Sequence, residues 1–185
     1  MDTMTLLPQG RPLTRDDLDA MPDDGHRYEI IDGVLVVTPA PSTGHQDLVR
    51  QLFLVLSAAC PDELEVYFAP LEVMLSEDTV IEPDLLVARS DEFTGRGLPG
   101  APLLAVEVLS PGTRRIDLVV KRSRLEAAGV PSYWVVDPEE PTLTVWELVE
   151  GHYVEVAHVA CQEEYAATSP FPVTIVPARL RRHRP

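Results

Sequence analysis

The sequence has few of the features that mark secreted or membrane-spanning proteins. Its two cysteines, Cys60 and Cys161, are far apart and belong to no CxxC or Cys/His cluster, so neither a disulfide framework nor a zinc site is indicated. We expect both to be buried thiols in a reducing cytoplasm. No apolar run approaches the roughly 20 residues that a membrane helix needs, and no cationic segment followed by an apolar one opens the chain. The sequence therefore predicts a protein that is neither secreted nor membrane-spanning.

Positive charge is also scarce. The chain has 15 Lys and Arg against 30 Asp and Glu, a formal net charge of −15 at pH 7, which argues against broad electrostatic capture of nucleic acid. The cations are concentrated late in the chain, because nine of the 15 lie in residues 111–185. Five of these nine fall in residues 114–124, and the other four lie in residues 179–185. The second half therefore has the better chance of contacting phosphates.

The rest of the composition is typical of a folded domain. Hydrophobic residues make up 45% and charged residues 24% of the 185 positions, as in ordinary globular proteins. This length accommodates one domain with a substantial core. We place a single domain at residues 1–178 and a basic C-terminal tail at residues 179–185.

Hydrophobic periodicity and turn residues predict a mixed α/β (α+β) fold. We expect a short helix at 14–20 and two long helices, one from Ser42 or Thr43 to before Pro61 and one at 114–128, closed by Gly129. Asp32-Gly33 predicts a tight hairpin between strands 28–31 and 34–37. Further strands are expected at 65–69, 71–75, 80–88, 103–109, 132–136, 142–148, 152–159 and 173–176. The order predicts a mixed sheet flanked by two main helices.

Two carboxylates stand out against apolar strands. Asp84 lies at the mouth of one strand and Glu107 lies inside another, where a carboxylate loses several kcal/mol of hydration unless a cation or hydrogen-bond donors compensate it. If the two strands are neighbours, both side chains can approach one hard cation. Oxygen ligands without a His/Cys cluster favour Mg²⁺ or Mn²⁺ over Zn²⁺. Asp84 also has a structural interpretation, since Pro-Asp is a common turn dipeptide. Glu107, taken alone, could equally have a structural role.

Lys121 is the candidate partner for these carboxylates. It lies four residues after Asp117 and four before Leu125, so the three share one stripe of a helix that faces the sheet if Leu125 is buried. The ammonium could orient an attacking water or stabilise charge on a phosphate, although a lysine on an Arg-rich helix is often only a solvated surface residue. The segment just beyond the Glu107 strand contains three residues that could hold neighbouring phosphates. They are Ser110, Arg114 and Arg115.

These residues resemble the motifs of a known family. The sequence closely resembles the bacterial Uma-type putative restriction endonucleases, which belong to the PD-(D/E)XK nuclease superfamily. The resemblance covers about residues 11–177. It rests on the segments Tyr28-Glu29-Ile30-Ile31-Asp32-Gly33, His45, Pro83-Asp84, Glu107-Val108-Leu109-Ser110-Pro111, Asp117, Lys121, Gly129-Val130 and Tyr133-Trp134-Val135-Val136-Asp137-Pro138.

The resemblance implies a restriction-endonuclease-like fold and assigns roles to particular residues. In the superfamily the Asp after Pro and the later Glu bind Mg²⁺, here Asp84 and Glu107, together with a backbone carbonyl near Val108. A Lys two residues beyond the Glu assists catalysis, but Leu109 occupies that position here. In Uma-type proteins the Lys lies on the following helix, which Lys121 matches. Glu29 and His45 are expected to complete the catalytic pocket, although each could also be an ordinary hairpin charge or helix-start histidine.

The first functional hypothesis is a Mg²⁺- or Mn²⁺-dependent endonuclease that hydrolyses phosphodiester bonds, with DNA as the expected substrate. One alternative is a catalytically inactive nuclease-fold binding module, which the Leu109 departure and the acidic composition favour. Another is a hydrolase of a smaller phosphate compound, because a fold does not fix a substrate. The terminal strands in residues 142–159 could also pair edge to edge with a second copy, since exposed edges are adhesive, and this predicts a homodimer.

Overall fold

The structure is a computed structural model that describes residues 10–181, and its strands account for most of the regular structure. The strands are β1 (Arg27–Ile31), β2 (Val34–Thr38), β3 (Leu64–Phe68), β4 (Val73–Ser76), β5 (Thr79–Ile81), β6 (Leu85–Arg89), β7 (Leu104–Val108), β8 (Ser132–Asp137), β9 (Thr142–Val149), β10 (His152–Ala160), β11 (Tyr165–Ala167) and β12 (Val173–Ile175). The helices are α1 (Arg15–Leu18), α2 (Thr43–Ala59) and α3 (Arg122–Ala127). A π-helical turn, Ile116–Lys121, runs directly into α3, and short 3-10 turns occupy Ser90–Glu92 and Pro177–Leu180.

The strands of residues 10–181 form three sheets. The largest has six strands in the order β10-β9-β8-β7-β6-β3, a second has four in the order β2-β1-β5-β4, and β11 pairs with β12. Within the six-stranded sheet β7 and β8 are parallel and the other neighbours are antiparallel. The predicted mixed α+β architecture is therefore confirmed, with the predicted sheet divided among three.

The six-stranded sheet separates two apolar layers because side chains of a strand alternate between its faces. Leu104, Val106 and Val108 of β7 pack in the layer that α2 covers, whereas Ala105 and Leu109 pack in the layer that includes α3. Burying a Val or Leu side chain contributes about 1.5–3 kcal/mol. The central position of β7 thus fixes its register strongly, and with it the position of any polar residue that it carries.

Local sequence explains the β1–β2 hairpin and the start of helix α2. In the β1–β2 hairpin Asp32 and Gly33 have φ values of 53° and 73°, the left-handed conformations that this turn requires. Helix α2 begins after Ser42, whose hydroxyl accepts a hydrogen bond from the His45 N–H at 3.2 Å, and this is the usual way in which a serine caps a helix. Both predictions are confirmed.

The strand predicted at residues 80–88 is wrong in one respect, since it is two strands in different sheets. β5 ends at Ile81 in the four-stranded sheet, and β6 begins at Leu85 in the six-stranded one. Pro83 lies between them and has no N–H to donate to a sheet, so the ladder breaks there. The break carries the chain from one sheet to the other at Glu82-Pro83-Asp84. Strand β11 was not predicted from the sequence.

The remaining expectations concern the cysteines, membrane-spanning helices, the domain boundary and the location of the protein. Cys60 is half-buried and Cys161 is exposed, so the prediction that both thiols are buried is wrong. No helix within residues 10–181 is long and apolar enough to cross a membrane. The division of the chain at residue 178 stays a prediction, although Leu180 is buried beside the domain, and residues 182–185 of the predicted tail lie outside the described part. The cytoplasmic location also stays a prediction.

Candidate active site

The break between β5 and β6 places Asp84 beside Glu107. β6 and β7 are antiparallel with Leu85 opposite Val106, so the next pair in this register is Asp84 and Glu107. The Asp84 N–H donates to Glu107 Oε2 at 3.4 Å, and the Val108 N–H donates to Asp84 Oδ2 at 2.9 Å. The two carboxylates expected to meet therefore do so, and both are buried.

Asp84 is held by two further side chains. His45 Nε2 lies 3.0 Å from Asp84 Oδ2, and Arg27 Nη2 lies 3.1 Å from Asp84 Oδ1. Burial of this carboxyl acts to raise its pKa, but the hydrogen bond and charge of His45 and the charge of Arg27 outweigh burial and lower the pKa to about 2. Asp84 is accordingly a carboxylate at neutral pH, in the form that binds a cation.

Lys121 lies in the middle of a group of carboxylates. Its Nζ is 2.8 Å from Glu29 Oε1, 2.9 Å from Glu107 Oε1 and 3.8 Å from Asp117 Oδ1. All four side chains are buried. Burial alone would lower the pKa of the ammonium, but the charges of Glu107, Glu29 and Asp117 raise it above its ordinary value. The predicted inward stripe of Asp117, Lys121 and Leu125 is therefore confirmed by burial of all three.

The site has more carboxylates than cations. Burial raises the pKa of Glu107 well above its usual range, and the neighbouring carboxylates Asp84, Asp117 and Glu29 raise it further, against the opposing charge of Lys121. Burial likewise raises the pKa of Asp117. These four buried carboxylates thus share Lys121, Arg27 and the imidazole of His45, and Glu82 also lies 3.6 Å from Arg27 Nε. The repulsion among these carboxylates is only partly compensated, and a bound cation would reduce it further.

An open cleft of about 340 Å³ reaches this cluster from the surface. It is lined by the end of β2 and residues 39–42, which lead into α2, and by the turn at 110–113 and the π-helical turn. Glu29, His45, Asp84, Glu107 and Lys121 all line it. The five residues predicted to be catalytic are therefore gathered at one accessible cavity.

The three residues predicted to contact nucleic acid are only partly brought to this cleft. Ser110 lines it, and its hydroxyl is 2.9 Å from Thr113 Oγ1. Arg114 turns away to form an ion pair with Asp137, and Arg115 is exposed on the following turn. Neither arginine lines the cavity.

The donor set suits a hard divalent cation. Within residues 10–181 no three His, Cys, Asp or Glu side chains already stand together as metal ligands. Mg²⁺, however, is commonly bound through one or two carboxylates and completes its octahedron with water. Asp84 and Glu107 supply those carboxylates, and the Val108 carbonyl lies on the same side, 3.0 Å from the His45 Nε2 that also contacts Asp84. The residues present therefore fit Mg²⁺ or Mn²⁺.

Sequence reasoning missed some members of the site. Arg27 precedes Glu29 by two residues in β1, so strand alternation could have placed both on one face. Asp117 was recognised as a neighbour of Lys121 but not as a site carboxylate. Glu82 was missed altogether: burial raises its pKa to about 7. One simple signal was available for Lys121, since it is the only lysine in the 185 residues.

Comparison with known proteins gives the class to which this arrangement belongs. The fold is similar to the crystal structure of a putative nuclease belonging to DUF820 from Anabaena variabilis ATCC 29413, with a TM-score of 0.68 and 20% identity over 86% of this chain and 90% of that one. The fold is therefore that of a restriction-endonuclease-like protein. The sequence model of the Uma2 family, described as "Putative restriction endonuclease", matches residues 15–178. The chain belongs to the Uma2 family. No curated protein matches it.

Proposed function

We propose that this protein is a Mg²⁺- or Mn²⁺-dependent endonuclease that hydrolyses phosphodiester bonds in DNA. The observation that carries the proposal is the buried Lys121, held at 2.8–2.9 Å by Glu29 and Glu107 on the floor of a cleft that also contains Asp84. Membership of a family described as nucleases supports the reaction class.

Asp84 and Glu107, with the Val108 carbonyl, would hold the cation. When bound, Mg²⁺ supplies positive charge beside the scissile phosphate and favours the ionised form of an attacking water. Asp84 is suited to this because its lowered pKa keeps it ionised. A bound cation would also compensate the buried charge of Glu107, which Lys121 alone balances only in part.

Lys121 would act on the phosphate side of the site. Its Nζ is a permanent ammonium within 2.9 Å of Glu107 Oε1, close to where the attacking water or a phosphate oxygen must lie. A fixed donor that points at developing negative charge stabilises the transition state without reorganisation. Glu29 is a positioning residue in this scheme, because it fixes Lys121 and accepts a hydrogen bond from the Glu82 N–H at 2.7 Å.

His45 and Arg27 would orient Asp84. Each contacts a different oxygen of this carboxylate, so together they fix the direction of its remaining lone pairs. Ser110 on the cleft wall is proposed to donate to a phosphate next to the scissile one. Arg115, and Arg114 if it exchanges Asp137 for a phosphate, are proposed to contact the strand beyond the cleft.

Cleavage assays test the nuclease proposal. Supercoiled plasmid, single-stranded DNA and structured RNA are incubated with Mn²⁺ or Mg²⁺ and either the natural protein, Glu107→Gln, or the matched control Glu65→Gln, which alters an exposed glutamate of β3. We expect at least a roughly 100-fold loss in Glu107→Gln, since removing even a supporting residue of a metal site costs about 10–100-fold, and no loss in the control. Equal residual cleavage in all three proteins would indicate contamination and contradict the proposal.

Calorimetry with metal separates an active enzyme from a binding module. Natural protein is titrated with Mn²⁺, and saturable binding is expected at millimolar metal or below. Asp84→Asn should abolish it, whereas Glu65→Gln should bind as the natural protein does. Absence of metal binding together with retained nucleic-acid binding would favour the inactive module.

We also propose that the protein forms a homodimer through β10. This strand is an edge of the six-stranded sheet, and three valines of the β9–β10 hairpin are 45–48% exposed: Val149, Val154 and Val156. Unpaired edges with apolar side chains favour pairing with a second chain. A mass equal to one chain by light scattering at micromolar concentration would rule out the dimer.

A further inference from the structure

His45 lies where two oxygens of the candidate metal site converge. Its Nε2 is 3.0 Å from Asp84 Oδ2 and 3.0 Å from the Val108 carbonyl oxygen. A neutral imidazole carries at most one hydrogen on this nitrogen, so a single N–H is shared between two acceptors. Only 11% of the His45 side chain is exposed, so the contact is largely shielded from solvent. The position between the two oxygens therefore favours a group of higher positive charge than one N–H.

The spacing of these three atoms also suits a shared cation. Ligands at adjacent corners of an octahedral ion, each about 2.1 Å from the metal, lie about 3.0 Å from one another. The imidazole nitrogen has this separation from both oxygens. An N–H···O hydrogen bond has a similar length, so one arrangement of the backbone serves either a proton or a metal ion. Exchange of one for the other requires no large movement of the strands or the helix.

The second ring nitrogen of His45 leaves the proton free to move. Nδ1 is buried, and within residues 10–181 no group forms a hydrogen bond with it. A buried histidine with a purely structural role normally has its polar atoms satisfied. Transfer of the proton from Nε2 to Nδ1 through solvent breaks no hydrogen bond at Nδ1, and it leaves a lone pair on Nε2. The ring stays neutral, which is the form of histidine that binds a metal ion.

Helix α2 fixes the imidazole in this position. His45 is the third residue of the helix, and its backbone N–H donates to the Ser42 hydroxyl at 3.2 Å. Three residues of the following turns, Leu48, Val49 and Leu52, are buried in the core layer that α2 covers. A ligand that is carried on a packed helix is preorganised for its metal. The fold therefore positions the nitrogen before a cation binds.

We infer that His45 Nε2 is the third ligand of the cation, beside Asp84 and the Val108 carbonyl, and that this nitrogen makes the site prefer first-row transition ions to Mg²⁺. Mg²⁺ is a hard cation that takes oxygen ligands, whereas imidazole suits transition metals, with an affinity that rises from Mn²⁺ to Co²⁺. The inference rests on the proposed function for the presence of a cation at Asp84. The metal preference comes from the position of the imidazole.

Pulsed electron paramagnetic resonance of bound Mn²⁺ tests the ligand directly in the natural protein. The full chain is saturated with Mn²⁺, once with natural isotopes and once with ¹⁵N-labelled histidine, and the modulation of the electron spin echo reports nitrogen bound to the ion. We expect a ¹⁴N coupling that becomes a ¹⁵N coupling on labelling, because only the histidine nitrogens change. Absence of nitrogen coupling, or a coupling that labelling does not alter, would overturn the inference.

Two glutamine variants assign the coupling to one of the five histidines of the chain. His45→Gln keeps an amide N–H that can donate to Asp84 and removes the imidazole lone pair. His26→Gln is the matched control, because His26 also contacts an aspartate, Asp24 at 2.9 Å, but does not line the cleft.

Calorimetry with Co²⁺ and Mg²⁺ then measures the metal preference. In His45→Gln the nitrogen coupling should disappear and the Co²⁺ affinity should fall about 10–100-fold, with a much smaller change for Mg²⁺. His26→Gln should change none of these. If His45 only orients Asp84, His45→Gln should weaken both ions by the same factor, and that result would contradict the inference.

The outcomes distinguish this inference from the function on which it rests. Histidine coupling to Mn²⁺ without cleavage of any nucleic acid would remove the nuclease proposal and leave the nitrogen ligand. Cleavage that depends on Glu107, with no histidine coupling and the same ratio of Co²⁺ to Mg²⁺ affinity in the natural protein and His45→Gln, would keep the nuclease and limit His45 to orienting Asp84. Absence of any Mn²⁺ binding would contradict both.

Discussion

Replacing Lys121 with methionine tests the central claim about the site. Methionine preserves the length of the side chain and removes its charge, which leaves Glu29 and Glu107 buried without the ammonium that lies 2.8 and 2.9 Å away. Removing one partner of a buried ion pair costs about 3–5 kcal/mol. Because Lys121 has two direct carboxylate partners, we expect the loss in free energy of unfolding to lie toward the upper part of this range. Protonation of Glu107 limits this loss, because burial already raises the pKa of that carboxyl.

Urea unfolding measures the loss. Trp134 and Trp146 are both buried, so their fluorescence reports on the core, and at about 1–3 kcal/mol/M in urea the midpoint should fall by roughly 2 M at pH 7.5. Arg50→Met is the control. Arg50 lies 3.4 Å from Asp47 with a side chain 40% exposed, and exposed pairs contribute only about 0–1 kcal/mol.

The stability cost of Lys121→Met depends on pH. The folded-state pKa values of Glu107 and Asp117 are raised, so their contribution to stability is fully present below the ordinary carboxyl range and is lost as pH rises through the raised values. Without Lys121 both pKa values should rise further. The stability deficit of Lys121→Met should therefore shrink between pH 7.5 and pH 5.5.

A double-mutant cycle with Glu107→Gln decides whether the ion pair is the cause. Glutamine removes the stranded charge, so Lys121→Met and Glu107→Gln together should cost clearly less than the sum of the two single changes. Additivity within about 0.5 kcal/mol would refute the reasoning, as would a Lys121→Met protein with the natural midpoint.

Three further stability predictions follow from the same structure, each measured by urea or thermal unfolding. The pKa of Glu82 is raised to about 7 from an ordinary 4.5, so the stability that this residue contributes is present below pH 4.5 and is lost as pH rises through 7. The free energy of unfolding of the natural protein should therefore decline between pH 5 and pH 8, and Glu82→Gln should make this decline smaller. Parallel curves for the two proteins would contradict this. Gly97 has φ +112°, and an added Cβ would lie 2.3 Å from the Glu72 carbonyl oxygen, so Gly97→Ala should cost about 1–3 kcal/mol, whereas Gly95→Ala, which meets nothing within 4 Å, should be nearly neutral. Leu52 of α2 is fully buried, and Leu52→Ala should cost about 2–5 kcal/mol; a loss below 1 kcal/mol would show that the core layer under α2 is not as described.

The parts of the fold that could be predicted are those in which local chemistry and tertiary packing agree. The apolar repeat of α2, with Ser42 before it and Pro61 after it, indicates one helix whatever it packs against. Asp32-Gly33 specifies its turn through backbone conformation alone. These signals need no knowledge of distant residues, and the structure confirms both elements.

The parts that could not be predicted depend on partners far away in sequence. The sequence predicts residues 80–88 as one strand, and only the presence of two sheets makes Pro83 a crossing point between them. Arg27 carries no motif of its own, and its role arises because β1 of one sheet lies beside Asp84 at the start of a strand in another. Long-range pairing of this kind has no local signature.

The departure at Leu109 does not leave Glu107 without an ammonium partner. Leu109 follows Glu107 by two residues and is buried in the apolar layer that includes α3, so its position is used for packing. The only lysine of the chain instead reaches Glu107 from the π-helical turn Ile116–Lys121. Such turns are rare and occur frequently at functional sites. Here the turn brings Asp117 and Lys121 to the carboxylates together, which a search limited to the strand after Glu107 would miss.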